Sequence, residues 1–185
     1  MVFYRRRLPH LHVIGQPVFL TWRLYGSLPN SRKFPEQITA GQAFLAMDRL
    51  LDRATTGPSF LSIPQIANLV AQSIRYRESN LQHYHLHSWV VTPNHVHVLI
   101  TPLVPISKLM HSLKKFTATE ANRILRRTGT PFWQDESYDR LVRNHQEFDR
   151  IVRYIEMNPV TPGLASTPEE FPWSSARPID NRPQV

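Results

Sequence analysis

Two histidines stand two residues apart in the run His95-Val96-His97-Val98-Leu99-Ile100-Thr101. In an extended strand that spacing sends both imidazoles to one face, while Val96, Val98 and Ile100 face the other way. Neutral imidazoles side by side are two adjacent ligands for a divalent cation. Alternating histidines also occur on ordinary strand surfaces, so the pair by itself does not establish a metal site. The preceding run repeats the period with His83, His85 and His87. No acidic ligand accompanies these three, and they read better as a polar sheet face or phosphate contacts than as a rival metal site.

A second group lies near the C-terminus. Phe148, Ile151, Val152 and Ile155 form the apolar stripe of a helix, with Tyr154 and Asn158 one turn apart on its flank. Tyr154 falls roughly 110° and Asn158 roughly 70° from the centre of that stripe, at about 100° per residue. A single tyrosine there is ordinarily a packed ring with a wet hydroxyl. Combined with two imidazoles and an amide oxygen, it suggests chemistry on phosphodiesters. A divalent metal held by His95, His97 and Asn158 would keep positions open for phosphate oxygens. A Tyr154 phenolate could then attack in line, leaving a covalent phosphotyrosine and a free 3′-hydroxyl. Because a phenol titrates near pH 10, the metal or cations such as Arg150 and Arg153 must favour the ionised form. Tyr138 is the competing nucleophile, but a strand position would not put an amide ligand one helical turn away.

Composition narrows the partner. Lys and Arg total 22 against 14 Asp and Glu, giving a formal charge of +8 and a pI near 10.3, which implies an anionic partner, nucleic acid first. Arg5, Arg6, Arg7, Lys114 and Lys115 are the leading phosphate contacts, although the lysine pair would equally suit a solvated helix face. No apolar run approaches the roughly 20 residues of a membrane span, and nothing resembles a signal peptide, so no membrane partner and a cytoplasmic location are expected. The absence of cysteine excludes disulfides, thiolate catalysis and cysteine-based zinc sites. The 6 glycines form no phosphate loop, and no serine has nucleophile-elbow neighbours.

The elements that must position these residues follow from periodicity and punctuation. Strands are expected over 17–25, 84–92, 95–101 and 137–142, with a hairpin turn at Pro93-Asn94. Helices are expected over 40–53, from Pro64 to about Arg77, over 106–127, and from an Asn144 N-cap to about Met157. On the third of these, Leu109, Leu113, Phe116, Ala121 and Leu125 form the expected buried side. The order is that of an α+β, ferredoxin-like βαββαβ sandwich with an antiparallel sheet, an added C-terminal helix carrying Tyr154, and a helical insertion over 26–62. The helix in that insertion reads as peripheral. Residues 1–176 form a single domain, the stretch after Phe171 reads as irregular, and 177–185 is a tail.

The motifs together resemble a family. Trp89-Val90-Val91-Thr92-Pro93-Asn94-His95-Val96-His97-Val98-Leu99 is similar to the His-hydrophobic-His strand of the HUH single-tyrosine transposases. Tyr154-Ile155-Glu156-Met157-Asn158-Pro159-Val160, with Gly163-Leu164 and Pro172-Trp173-Ser174-Ser175, resembles their REP-associated branch, and Phe132-Trp133-Gln134 and the 23–29 segment also look familial. The resemblance implies a ferredoxin-like fold, Mg²⁺ or Mn²⁺ dependence, and nicking of single-stranded, hairpin-bearing repeat DNA through a 5′-phosphotyrosine. It places the nucleophile at Tyr154 and the metal ligands at His95, His97 and Asn158. Insertion-sequence members usually carry glutamine where this chain has the shorter Asn158. The resemblance leaves monomer or homodimer open. Two rivals remain: a domesticated, non-catalytic DNA- or RNA-hairpin-binding protein, and a phosphodiesterase that uses water.

Overall fold

The structure, a computed structural model, describes residues 14–28, 40–53 and 56–177. Four strands, β1 (Val18–Arg23), β2 (Tyr84–Val91), β3 (His95–Pro102) and β4 (Tyr138–Leu141), and four helices, α1 (Ala40–Asp52), α2 (Pro64–Ser79), α3 (Ile106–Ile124) and α4 (His145–Met157), follow one another in the expected order. The sheet runs β2-β3-β1-β4, antiparallel at every pairing. This is the ferredoxin-like topology.

Alternation divides the sheet between two cores. Val18, Leu20 and Trp22 of β1, with Val96, Val98 and Ile100 of β3, pack under α2 and α3. Phe19 of β1, Val90 of β2 and Leu99 of β3 face the opposite way, toward Phe44 of α1 and Ile155 of α4. Strand β2 also alternates between the cores but carries a register shift between Leu86 and Ser88. That bulge explains why Tyr84 and Leu86 share a core with Trp89 and Val91, although 86 and 89 differ by three. It also makes His87 the extra residue, so the three-histidine period of β2 is broken there.

Local chemistry sets the helix ends. Pro64 stands in the first turn of α2, where its missing N–H costs nothing. Asn144 caps α4 by accepting from the Glu147 amide at 2.9 Å. The Glu147 carboxylate accepts from the Arg143 amide at 2.9 Å and from Arg140 of β4, so the cap also ties helix to sheet. Helix α3 stops short of the expected Arg127. Arg126 takes a left-handed φ of 54°, and the Arg127 and Arg126 amides donate back to the Asn122 and Arg123 carbonyls, a Schellman closure with arginine where glycine is usual.

Three expectations are corrected. Helix α1 is not peripheral: Phe44 and Leu51 are buried, and the helix lies on the sheet face that carries His97. Phe116 is 49% exposed rather than buried, with Arg77 above its ring; Thr117, one residue on, takes the inward position on α3. The stretch after Phe171 is not wholly irregular, because Trp173 and Ser175 exchange backbone hydrogen bonds with Val91 and Trp89 along the outer edge of β2. That coverage blunts half of an otherwise open edge strand.

Candidate active site

Strand β3 presents His95 and His97 on the α1/α4 side of the sheet, opposite Arg23 and Thr21 of β1 in register. Both are essentially inaccessible, at 1% and 0% exposure, and their ring centres lie 4.6 Å apart. The expected sharing of one face is what the strand provides.

Each ring is held through Nδ1. His95 Nδ1 lies 2.7 Å from Asn94 Oδ1 and 2.8 Å from Thr92 Oγ1. The Asn94 amide nitrogen is committed to the Leu51 carbonyl at 2.9 Å, and the Thr92 hydroxyl donates to the His95 carbonyl at 2.9 Å. The only remaining proton is on the ring, so His95 carries it on Nδ1 and turns a bare Nε2 lone pair inward. His97 Nδ1 meets Thr21 Oγ1 at 2.7 Å, and Phe19 stacks on its ring. Hydrogen bonding at Nδ1 is the arrangement that orients imidazoles as ligands through Nε2.

The third group comes from α1. Phe44, Asp48 and Leu51 follow the i, i+4, i+7 period of one helix face, and all three are buried. Asp48 Oδ1 lies 3.2 Å from His97 Nε2 and 3.5 Å from His95 Nε2, while Asp52, a turn further on, reaches His95 Nε2 at 3.9 Å. Burial works against ionising Asp48, yet the neighbouring His97 outweighs it and holds its carboxyl below the ordinary carboxylate range. Asp52 moves the other way, pushed up to about 7 by burial and by the charge on Asp48. Burial, with His97 beside it, pushes His95 down to about 3, which keeps it in the neutral form that ligates.

Tyr154 and Asn158 arrive from α4. The Tyr154 hydroxyl donates to Asp48 Oδ2, and its ring meets those of His97, Phe19 and Phe44 edge-on. Asn158, 4% exposed, turns Nδ2 to Asp48 Oδ2 at 3.5 Å. Of the eight buried side-chain atoms without a hydrogen-bond partner among the described residues, four belong to these residues: His95 Nε2, His97 Nε2, Asp48 Oδ1 and Asn158 Oδ1. Buried polar atoms are rarely left so, and an ion is one of the few things that satisfies several together. Ligand atoms of Asp48, His95 and His97 all lie within 4.8 Å of one another. Two imidazole nitrogens with carboxylate and amide oxygens fit a divalent cation, so the residues present suit the metal that the resemblance implies.

The structure therefore brings His95, His97, Tyr154 and Asn158 together, and adds Asp48, which the sequence reading missed. The available signal was a carboxylate on an apolar helix stripe. Outside Tyr154 opens a groove lined by Asp149, Arg150, Arg153, Tyr154 and Met157, with both arginines exposed. Lys115 is exposed on α3. Lys114 donates to the Gln134 and Asp135 carbonyls at 2.8 and 3.0 Å, and burial lowers its ammonium to about 8. It holds the segment before β4 rather than standing on a solvated face. Arg5, Arg6 and Arg7 lie outside the described residues. Tyr138, on β4, pairs with Thr21 of β1 and stacks on Phe44. On β2, His87 bonds to Thr101 and meets Phe148; among the described residues the one metal-type cluster is that of Asp48, His95 and His97. No helix among the described residues is long and apolar enough to cross a membrane.

Known proteins share the fold. A solved structure described as "Structure of the REP associates tyrosine transposase bound to a REP hairpin" superposes with a TM-score of 0.54 at 20% identity, covering 94% of this chain and 82% of that one. At that identity the likeness shows a shared fold. None of the curated proteins matches the chain. The sequence model of the family described as "Transposase IS200 like" matches residues 65–158, just over half of the chain and the stretch from α2 through His95, His97 and Tyr154 to Asn158. The chain belongs to the IS200-like transposase family.

Proposed function

We propose that this protein nicks single-stranded DNA and transfers the cut strand through a covalent 5′-phosphotyrosine at Tyr154, using Mg²⁺ or Mn²⁺ held by His95, His97, Asp48 and Asn158. The observation that carries the proposal is convergence: buried ligand atoms of Asp48, His95 and His97, all within 4.8 Å of one another, lie where the Tyr154 hydroxyl reaches Asp48, beside a groove that Arg150 and Arg153 help to line.

The residues divide the work. Thr21, Thr92 and Asn94 fix the imidazoles, and Asp48 supplies the negative charge that favours a cation between them. When bound, that cation supplies Lewis-acid polarisation of the scissile phosphate. Arg150 and Arg153 meet the phosphodiester in the groove and lower its repulsion toward the phenol oxygen. Tyr154 Oη bonds to phosphorus and the P–O3′ bond breaks. Tyr154 gives up its phenolic proton and the departing 3′-oxygen gains one, so the phosphodiester count is conserved and a later 3′-hydroxyl can reverse the step. The DNA partner is single-stranded and hairpin-bearing, a reading supported by the related structure described as bound to a REP hairpin. Lys115 adds to the basic contact surface, and Arg5, Arg6 and Arg7 are further candidate phosphate contacts.

The test is a denaturing gel of a labelled single-stranded hairpin incubated with Mn²⁺. Wild-type protein should carry label covalently. Tyr154→Phe should lose the adduct while hairpin binding stays within a few-fold, since only one hydroxyl is removed. Transfer of the defect to Tyr138→Phe would reassign the nucleophile, and cleavage unaffected by either change would point to water. A silent hairpin-binding protein would give no adduct with any variant.

A further inference from the structure

The two oxygens of Asp48 face different partners. Oδ1 points at the two Nε2 atoms, 3.2 and 3.5 Å away, and has no hydrogen-bond donor. Oδ2 accepts the Tyr154 hydroxyl and lies 3.5 Å from the Asn158 amide nitrogen. The carboxylate is 3% exposed, so water does not compete for either oxygen. Around the Tyr154 ring the other contacts are the edges of Phe19, Phe44 and His97, which pack the ring without fixing its oxygen.

We propose that Asp48 is a positioning residue linking cation binding to nucleophile placement: Oδ1 completes the cation site, and Oδ2 holds the Tyr154 hydroxyl beside it. This rests on the reading of the histidine pair as a cation site and of Tyr154 as nucleophile. A carboxylate that ligates through one oxygen is oriented by the hydrogen bond to the other, and loss of such an outer contact weakens metal binding about 10- to 100-fold. The linkage is reciprocal, so whatever the cation gains from the hydroxyl, the placement of the hydroxyl gains from the cation. It also gives α1 a role in the reaction, although that helix lies outside the 65–158 stretch matched by the family. If Asp48 merely balanced charge near the imidazoles, deleting the hydroxyl on its far oxygen would leave cation affinity unchanged.

The experiment uses the full chain without DNA. Mn²⁺ affinity is read from the electron paramagnetic resonance of free Mn²⁺, and the Tyr154 ring is followed by ¹³C NMR during Mg²⁺ addition. Tyr154→Phe should weaken Mn²⁺ binding about tenfold or more. Tyr76→Phe, the same deletion on the exposed face of α2, should not. Mg²⁺ should shift the Tyr154 ring resonance in the wild type and leave it unmoved in Asp48→Asn, which keeps the side-chain shape if Asp48→Ala does not fold. Wild-type affinity in Tyr154→Phe, or a Mg²⁺ response that survives in Asp48→Asn, overturns the linkage. Its failure is separable from that of the parent reading: wild-type protein that takes up no Mn²⁺ defeats the cation site itself. Binding abolished by His95→Ala and His97→Ala but untouched by Tyr154→Phe defeats only the linkage.

Discussion

Asn94→Ala tests how far the site depends on residues that touch no phosphate. The amide of Asn94 bridges two parts of the molecule, accepting the His95 Nδ1 proton at 2.7 Å and donating to the Leu51 carbonyl at 2.9 Å. The first contact sets the tautomer of a proposed ligand, and the second pins the last turn of α1 against the β2–β3 turn. Two buried hydrogen bonds at about 1 kcal/mol each put the loss of stability near 2 kcal/mol. Thr92 still reaches His95 Nδ1, which keeps the estimate from rising further. With Leu51 released, the α1 turn that carries Asp48 loses an anchor, and an outer-contact loss of this kind weakens cation binding about 10- to 100-fold. Urea denaturation without metal gives the first quantity, and Mn²⁺ titration of the folded protein gives the second. A variant that loses the stability but binds Mn²⁺ within twofold of wild type would refute the argument that Asn94 orients the ligand set.

Other outcomes follow from single contacts. Cation uptake at pH 6 should release about one proton, drawn from Asp52 at its raised value near 7, and almost none at pH 8.5; calorimetry in buffers of different ionisation enthalpy reads this directly. Without the cation, the stability Asp52 contributes is fully present below its unfolded pKa of about 3.9 and is lost as pH rises through about 7. Tyr84 donates to the Ile74 carbonyl at 2.5 Å, and burial raises its phenol, so its contribution is lost as pH climbs above the unfolded value of about 10. Tyr84→Phe should therefore show a shallower alkaline fall in urea midpoint than wild type. Arg126→Gly should raise stability by about 0.5 kcal/mol, because relief of the left-handed strain outweighs the added freedom of the unfolded chain; an unchanged or lower midpoint contradicts it. Arg153→Gln should reduce the salt dependence of hairpin binding by a log–log slope of about 0.7 if it contacts one phosphate.

Much of the frame is local and therefore legible in one dimension. Period two placed His95 and His97 on a common face, because a pleated strand allows nothing else. Asn144, Pro64 and the Pro93-Asn94 turn mark ends by their own hydrogen-bonding and dihedral preferences, and the element order implied the sheet topology. The one-turn spacing of Tyr154 and Asn158 is likewise a property of the helix.

What the sequence could not decide involves residues distant along the chain. Asp48 meets partners 47 to 110 positions away, and no periodicity links a carboxylate in α1 to imidazoles in β3. Only the packing of Phe44 against Phe19 and His97, which turns that helix face inward, sets the aspartate beside the imidazoles rather than leaving it a solvated charge. Lys114 shows the same limit in reverse. As part of a lysine pair it suits a phosphate contact, yet two carbonyls at 134 and 135 fold back to take its ammonium. Phe116 likewise gave up its expected burial to Thr117. Trp133 occupies the space beside α3 and its indole N–H donates to the Thr117 hydroxyl at 2.9 Å, so the inward face of α3 follows its neighbours as well as its own apolar stripe.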